Sequence, residues 1–232
     1  MSVNEGDKPR HGDILLVRHG ETDGNRSKIL QVPTLPLNAN GHVQARKAGE
    51  RISKTFHVGK ILCSDLQRTQ DTAAPIAELT KAPLELTPLL QERSFGDLRG
   101  RPFAELQAEG ISVFSEDYAP QNGESPAMFR ERGHKAWAAV LEAVREVPAG
   151  QVLAVVTHGL VLNHFVKHYV EIGAEDASAA IIPFKNTSVS LLDANVPAGS
   201  RLRIMNIFND DSHLSDEERD PTFGKVLRAA HI

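Results

Sequence analysis

Short apolar runs alternate along the chain with stretches whose apolar residues recur at helical spacing. The runs "ILLV" at 14–17 and "VLAVVTHG" at 152–159 predict strands that are covered on both faces. "GKILCS" at 59–64 and "LELT" at 84–87 predict two more strands. Between the runs, the spacing predicts helices at 40–52, around 137–144 and around 162–169. A further helix is predicted to begin just after Ser64 or Asp65, either of which could cap it.

The end and the middle of the chain depart from this alternation. "TSVSLL" at 187–192 and "RLRIMNIF" at 201–208 predict two strands joined by a hairpin. Residues 93–132 are rich in Gly and Pro and have a weak pattern, which predicts a lid-like excursion with one short helix. We therefore expect one α/β domain over 1–232, a three-layer α/β/α sandwich with a mostly parallel central sheet and an antiparallel edge strand.

Composition narrows the classes of function. A formal net charge of −4 over 232 residues argues against a nucleic-acid partner. The single cysteine, Cys63, excludes an internal disulfide and fits a reducing compartment, so we expect a cytoplasmic protein. The polar start of the chain does not resemble a secretory signal, and no apolar run reaches the roughly 20 residues that span a bilayer.

The two strongest strands end in the same kind of peptide, "LLVRHG" at 15–20 and "AVVTHG" at 154–159. Ligands of open α/β sheets bind beyond the carboxyl ends of the strands, so neighbouring strands would bring His19 and His158 to one crevice. Gly20 and Gly159 would let the backbone approach a ligand there. The helix that starts after Gly159 would direct free N–H groups towards an anion.

Further charged side chains follow the other predicted strands. Arg68 falls in the first turn of a helix, and Glu92 follows "LELT". Two arginines match phosphate oxygens, and they disfavour protonation of His19, which keeps a nucleophile available at neutral pH. A carboxyl group beside a phosphoryl dianion has a raised pKa, which suits Glu92 as a general acid.

These segments resemble the histidine phosphatase, or phosphoglycerate-mutase-like, superfamily. The resemblance rests on Arg18-His19-Gly20, "LPLNANGHVQARKAG", "CSDLQRTQDTAAPIAE", "LLQERSFGDLRG", "NGES" and "VVTHG", in that order along the chain. One tripeptide carries little weight, but several elements in the right order are a strong signal.

The resemblance implies a phosphatase that works through a phosphohistidine on His19, with no cofactor and no metal. It implies that Glu92 is the acid and that six residues hold the phosphoryl group. These are Arg18, Thr22, Asn25, Gln31, Arg68 and His158, with Gly159 beside them. The substrate would be a phosphomonoester of a small metabolite, of the sugar phosphate or phosphoglycerate type, with a weak likeness to TIGAR-type fructose-2,6-bisphosphatases.

Several alternatives stay open at this point. A phosphoglycerate mutase would carry a long insertion rich in Arg and Pro after the acid segment, which is absent here; a non-catalytic phosphopeptide-binding module would usually lose the nucleophile. Arg93, Arg99 and Arg101 either give the lid positive charge or are solvated surface residues.

His164 and His168 have the spacing of a metal pair but no third ligand in view. The protein is expected to be a monomer or a homodimer.

Overall fold

A computed structural model describes residues 12–148, 150–171, 181–196 and 199–219 of the chain. The strands are β1 Asp13–Arg18, β2 Val58–Ser64, β3 Leu84–Thr87, β4 Val152–Thr157, β5 Val170–Glu171, β6 Val189–Asp193 and β7 Leu202–Ile204. The helices are α1 Asp23–Arg26, α2 Ala39–Thr55, α3 Gln67–Thr80, α4 Phe103–Ala108, α5 Pro126–Arg145 and α6 Gly159–Tyr169. Two 3-10 turns lie at Pro88–Leu90 and Gly96–Leu98.

The strands form one sheet in the order β3-β2-β4-β1-β6-β7-β5. Strands β3, β2, β4 and β1 are parallel neighbours, whereas β6 runs antiparallel to both β1 and β7. The predicted α/β sandwich with a mostly parallel sheet is confirmed, and its antiparallel pair lies towards one edge. The expected adjacency of β1 and β4 is also confirmed, which sets their two carboxyl ends side by side.

The two central strands β1 and β4 are buried on both faces because the runs "ILLV" at 14–17 and "VLAVV" at 152–156 are apolar at every position. Along β1, Ile14 and Leu16 pack with α5 and α6, while Leu15 and Val17 pack with α2 and α3. This alternation divides the core into two clusters, one on each side of the sheet, as the period of two in a strand requires. The continuous apolar run therefore identified the centre of the fold correctly.

The structure corrects three local predictions. Helix α3 is not capped by Ser64 or Asp65. Its N-cap is Leu66, whose apolar side chain makes no capping bond, and the Ser64 hydroxyl binds His158 instead. The excursion after Glu92 ends earlier than predicted, since α5 already begins at Pro126 behind the capping Ser125. The last predicted strand shortens to β7, although irregular backbone bonds join Leu191 to residues 205 and 207 beyond it.

Two sequence expectations concern other parts of the chain. The polar start, residues 1–11, lies outside the described residues, as do the last residues from 220 onwards. Within the part of the chain that the structure describes, no helix combines the length and the apolar character needed to cross a membrane.

Candidate active site

The ends of β1 and β4 bring two histidines together. Arg18 pairs with Thr157 in the parallel register, and the His19 N–H donates to the Thr157 carbonyl at 3.0 Å. The rings of His19 and His158 consequently lie with their centroids 5.2 Å apart. The crevice that was expected at this edge of the sheet is therefore present, with His19 in its lining and the buried His158 beside that ring.

The His19 ring is held in one orientation. Its Nδ1 lies 2.7 Å from the Gly20 carbonyl oxygen, which can only accept, so Nδ1 carries the proton. Nε2 makes no hydrogen bond to any described residue and keeps its lone pair. Burial, and then the charges of Arg18 and Arg68, hold the pKa of His19 well below its usual value. The ring is therefore neutral at neutral pH, with the lone pair of Nε2 unused.

Close backbone contacts fix the loop that carries this ring. A side chain at Gly20 would place its Cβ 2.7 Å from the Gly41 carbonyl oxygen, and one at Gly41 would meet the Glu21 oxygen at 2.0 Å. The His19 carbonyl accepts from Asn186 Nδ2 at 2.9 Å and from the Thr187 N–H at 3.3 Å. Both glycines are thus required for the start of α2 to pack against the His19 loop.

Two buried guanidinium groups flank His19. Arg18 Nη1 donates to the Phe184 carbonyl at 2.6 Å, and Arg68 Nη1 donates to the Val32 carbonyl at 3.3 Å. Burial lowers the pKa of Arg68 to about 10, so the group stays charged at neutral pH. Arg68 Nε is buried without a partner among the described residues. Such an unpaired donor, in a cleft, suits an anionic ligand.

Glu92 lies in the same cleft and is bound at both carboxylate oxygens. Oε1 accepts from the Arg93 N–H at 3.0 Å, and Oε2 accepts from the Leu160 N–H at 3.2 Å, in the first turn of α6. Burial raises the pKa of Glu92, an effect that these two N–H groups and the nearby arginines oppose. A carboxyl group that holds its proton to higher pH is suited to donate it to a leaving oxygen.

His158 lies under the cleft floor, fully buried, and does not line the cleft surface. Its Nε2 is 2.9 Å from Ser64 Oγ, while Nδ1 has no partner among the described residues. Burial and the charge of Arg68 keep the pKa of His158 well below its usual value, so the ring is neutral. If the Ser64 hydroxyl donates to Nε2, the ring proton stays on Nδ1, next to His19.

The remaining predicted residues divide between the cleft and the loop below it. Asn25, Gln31 and Gly159 line the cleft, and Gln31 Oε1 is buried without a partner in the described chain. Thr22 does not line it: this residue is fully buried and caps α1, where its Oγ1 and N–H bind Asn25. Because Asn25 Oδ1 accepts those bonds, its NH₂ group is available to the cleft. The polar atoms of Thr22 are used in the cap, so its contact with phosphate stays a prediction that this geometry does not favour.

The cleft encloses about 870 Å³ and has two different ends. Its polar end holds His19, Arg18, Arg68 and Glu92. The rest is lined largely by apolar side chains of the segment that follows Glu92 and of the loop around Leu30.

The lid arginines have three different environments. Arg93 is buried and donates to the carbonyls of Glu124, Val113 and Tyr118, so it holds the lid together rather than offering a charge. Arg101 binds Glu105 and Glu109. Arg99 lines the cleft and forms no ion pair with a described residue, and unlike Arg93 it makes no hydrogen bond to the lid carbonyls.

His164 and His168 join His134 in a cluster of rings with centroids 4.5 to 5.3 Å apart. His164 is buried and His168 is half-buried. Among the described residues, no group of three or more His, Cys, Asp or Glu side chains is arranged to hold a metal ion.

Three residues that support the site were not assigned this role from the sequence. Ser64 was interpreted as a helix cap but binds His158, and Asn186 stands in a short polar turn before β6. Arg132, on α5, donates to the carbonyls of Leu89 and Gln91 at 2.8 and 2.7 Å and forms an ion pair with Glu124. The pairing of Glu124 with an arginine eight residues later was the one available clue, and it is not distinctive.

Comparison with known proteins identifies the family of this chain. The family model of branch 1 of the histidine phosphatase superfamily matches residues 14–206. The chain belongs to this superfamily. The match spans β1 to the region just beyond β7, so it includes every strand end that contributes to the cleft.

Curated relatives are named as phosphatases or mutases. A protein named probable phosphatase from Schizosaccharomyces pombe is 29% identical over 213 residues, or 88% of this chain and 96% of that protein. The fructose-2,6-bisphosphatase TIGAR B of Danio rerio is 33% identical, covering 68% of this chain and 74% of that protein. A Klebsiella pneumoniae protein named probable phosphoglycerate mutase GpmB is also 33% identical, over 78% and 84%.

Solved structures share the fold. The alpha-ribazole phosphatase of Shigella flexneri superposes with a TM-score of 0.69 at 26% identity, covering 86% of this chain and 96% of that one. A mycobacterial glucosyl-3-phosphoglycerate phosphatase gives a TM-score of 0.72 at 24% identity, over 85% and 98%. Family and relatives together support a phosphatase-type enzyme that acts on small metabolites.

Proposed function

We propose that the protein is a metal-independent phosphatase that hydrolyses a phosphomonoester of a small metabolite through a phosphohistidine on His19. The observation that carries this proposal is the state of one ring. Nδ1 of His19 is committed to the Gly20 carbonyl, and Nε2 is left unbonded at a cleft flanked by Arg18 and Arg68. The substrate class of sugar phosphates or phosphoglycerates stays a prediction from the resemblance.

In the first step the lone pair of His19 Nε2 attacks phosphorus. An N–P bond forms, the bond from phosphorus to the alcohol oxygen breaks, and Glu92 gives its proton to that oxygen. Arg18, Arg68 and the Asn25 NH₂ group neutralise the phosphoryl oxygens as charge moves onto them. The raised pKa of Glu92 supports its role, because the acid must be protonated before this step.

In the second step the Glu92 carboxylate accepts a proton from water. The water oxygen forms the new bond to phosphorus, the N–P bond breaks, and its electron pair returns to His19 Nε2. Glu92 is protonated again, and inorganic phosphate leaves. His158 would donate from Nδ1 to a phosphoryl oxygen throughout, which satisfies a buried group that has no other described partner.

The test is a phosphate-release screen over sugar phosphates, phosphoglycerates, nucleotides and phosphopeptides, with a chelator present. We expect turnover of at least one small ester, with hydrolysis faster than any transfer to glycerate phosphate. Turnover that disappears with the chelator would contradict metal independence. Phosphopeptide binding without turnover would instead support a non-catalytic module, and faster transfer than hydrolysis would support a mutase.

A further inference from the structure

The cleft is larger and more apolar than a phosphoryl group with a three-carbon acid would need. Its volume of about 870 Å³ lies near the upper end of the roughly 300–1,000 Å³ of sites that bury drug-sized ligands. Outside the polar end, most of the side chains that line the cleft are apolar. The wall residues used below are Leu30, Phe95, Phe103, Ile111, Phe114 and Leu160.

These side chains form an organised surface. Phe103 stacks on Phe114 with centroids 5.9 Å apart, and Phe95 meets Phe114 edge-on at 6.1 Å. Leu30 and Phe95 are buried, whereas Phe103, Ile111 and Phe114 are only half-buried. An aromatic cluster that stays half-buried beside a catalytic group presents apolar area to whatever occupies the cleft.

Backbone bonds hold this wall in place without a ligand. The Leu30 N–H donates to the Arg101 carbonyl at 3.0 Å, and the Gly100 N–H donates to the Leu30 carbonyl at 2.6 Å. The Phe103 N–H donates to the Lys28 carbonyl at 3.0 Å. The segment also packs on itself at Gly96, where φ is +52° and an added Cβ would lie 1.9 Å from the Gln121 carbonyl oxygen, so that a side chain has no room there. A preformed wall contributes to affinity because little ordering is needed on binding.

We propose that the wall binds the leaving group, and that the preferred substrate is a phosphomonoester of an alcohol with a sizeable apolar part. This inference rests on the proposed phosphatase function of the same cleft. The phosphoryl group would occupy the polar end, and the carbon chain or ring of the alcohol would lie against Phe103, Ile111 and Phe114. Small polyhydroxylated alcohols would leave the wall uncovered and so gain less from it.

The test is a series of linear alkyl phosphates, from ethyl through butyl and hexyl to octyl phosphate, with 3-phosphoglycerate for comparison. The acidity of the leaving alcohol hardly changes along the series, so differences in kcat/KM report contact with the wall. We expect kcat/KM to rise roughly two- to fourfold for each methylene group that becomes buried, until the cleft is filled. The unaltered protein is used, so this arm needs no variant.

Two wall variants locate the effect. Phe103→Ser and Ile111→Ser should each lower the ratio of kcat/KM for hexyl over ethyl phosphate by about three- to tenfold. Inhibition by inorganic phosphate should stay within about twofold of the parent, because the polar end is untouched. Met128→Ser is the matched control, since Met128 is 55% exposed on α5 and lies outside the cleft.

Three results would overturn the proposal. They are a series whose kcat/KM is flat, a preference for 3-phosphoglycerate over hexyl phosphate, or wall variants that behave like Met128→Ser. A preference for 3-phosphoglycerate would indicate that its carboxylate binds Arg99 or Lys28, which also line the cleft. If one variant fails to fold, the other variant and the series still decide. A flat series with turnover that depends on His19 would overturn the leaving-group proposal alone, whereas turnover retained by His19→Ala would overturn the phosphatase mechanism as well.

Discussion

The two ends of the cleft are built in different ways. At the polar end, residues that follow strands supply His19 and Glu92, and α3 supplies Arg68. The first turn of α6 binds Glu92 and the Val32 carbonyl binds Arg68, while the Gly20 carbonyl of its own loop holds His19. At the apolar end, residues 93–125 and the loop around Leu30 supply most of the wall and are joined mainly to each other, and Leu160 of α6 completes it.

This difference assigns catalysis to the polar end and selectivity for the leaving group to the wall. Groups set by the register of β1 and β4 cannot move without disturbing the centre of the sheet. The wall carries no titratable group that contacts the phosphoryl position, and the sheet core does not depend on it. Loss of the nucleophile or of an arginine at the polar end should therefore affect all substrates alike, whereas changes at the wall should depend on the leaving group.

The largest effect is expected at the nucleophile. His19→Ala should lower kcat/KM by about 10⁴-fold or more for every phosphomonoester, because no other group can form the covalent intermediate. Phosphate release from several esters measures it, with Met128→Ser as a folding control. If His19→Ala hydrolysed any ester at the parent rate, His19 could not be the nucleophile of the polar end.

Glu92 lies where the two ends meet, so the effect of its loss should depend on the substrate. Glu92→Gln should lower kcat/KM by about 10²- to 10⁴-fold for alkyl phosphates, whose leaving oxygen needs a proton. The loss should be much smaller for nitrophenyl phosphate, whose leaving group is stable as an anion. Equal losses for both esters would contradict the assignment of Glu92 as the general acid.

The pH dependence follows from the two pKa shifts. The pKa of His19 is lowered, so the ring remains neutral as pH falls through the ordinary histidine range and causes no loss there. The pKa of Glu92 is raised, so the acid keeps its proton above the ordinary carboxyl range. We expect kcat/KM to fall, by up to about tenfold per pH unit, as pH rises through the Glu92 pKa.

The pH profile is checked on an alkyl phosphate whose own ionisation is measured separately. Glu92→Gln should remove the alkaline fall. An alkaline fall that persists in this variant would mean that another group supplies the proton.

Arg132 is a positioning residue that acts through the segment carrying Glu92. Arg132→Ala removes its bonds to the Leu89 and Gln91 carbonyls and its ion pair with Glu124. We expect kcat for alkyl phosphates to fall by about tenfold, because Glu92 would be displaced, while inhibition by inorganic phosphate is unchanged. Arg145→Ala is the matched control on the same helix, where the exposed pair with Glu142 has no neighbour in the cleft. Equal losses in rate and in phosphate affinity would show a general loss of structure instead.

The smallest effect is expected at Arg101. Its charge is paired with Glu105 and Glu109, and Arg101 is not among the residues that line the cleft. Arg101→Ala should leave kcat/KM within about twofold of the parent for all esters, since exposed ion pairs contribute little. A larger loss that is confined to substrates with a second anionic group would show that Arg101 attracts that group to the cleft.

The sequence was most informative where burial and chemistry coincide. The apolar runs of β1 and β4 predicted two central strands, and the polar residues at their ends predicted where the crevice would lie. Arg68 and Glu92 followed because each stands just after a strand, so topology alone brings it to the same edge. These positions could be predicted from local sequence because neighbouring parallel strands share one carboxyl edge.

The parts that were missed depend on contacts between distant segments. Thr22 and Ser64 are both small hydroxyl residues next to a strand or a helix, and their partners decide whether they cap, bind phosphate or orient a ring. Arg93 carries a charge like Arg99, but only the fold directs it to three lid carbonyls. The apolar wall was missed because its residues come from a stretch without helical or strand periodicity.

The most direct test of the central claim is to trap the phosphoenzyme. The protein is mixed with a labelled alkyl phosphate, denatured in alkali within milliseconds, digested and examined by mass spectrometry, with chromatographic standards for the two phosphohistidine isomers. We predict label on His19 alone, at Nε2, because Nδ1 is held by the Gly20 carbonyl. Label on Nδ1, label on another residue, or turnover without any labelled histidine would contradict the account.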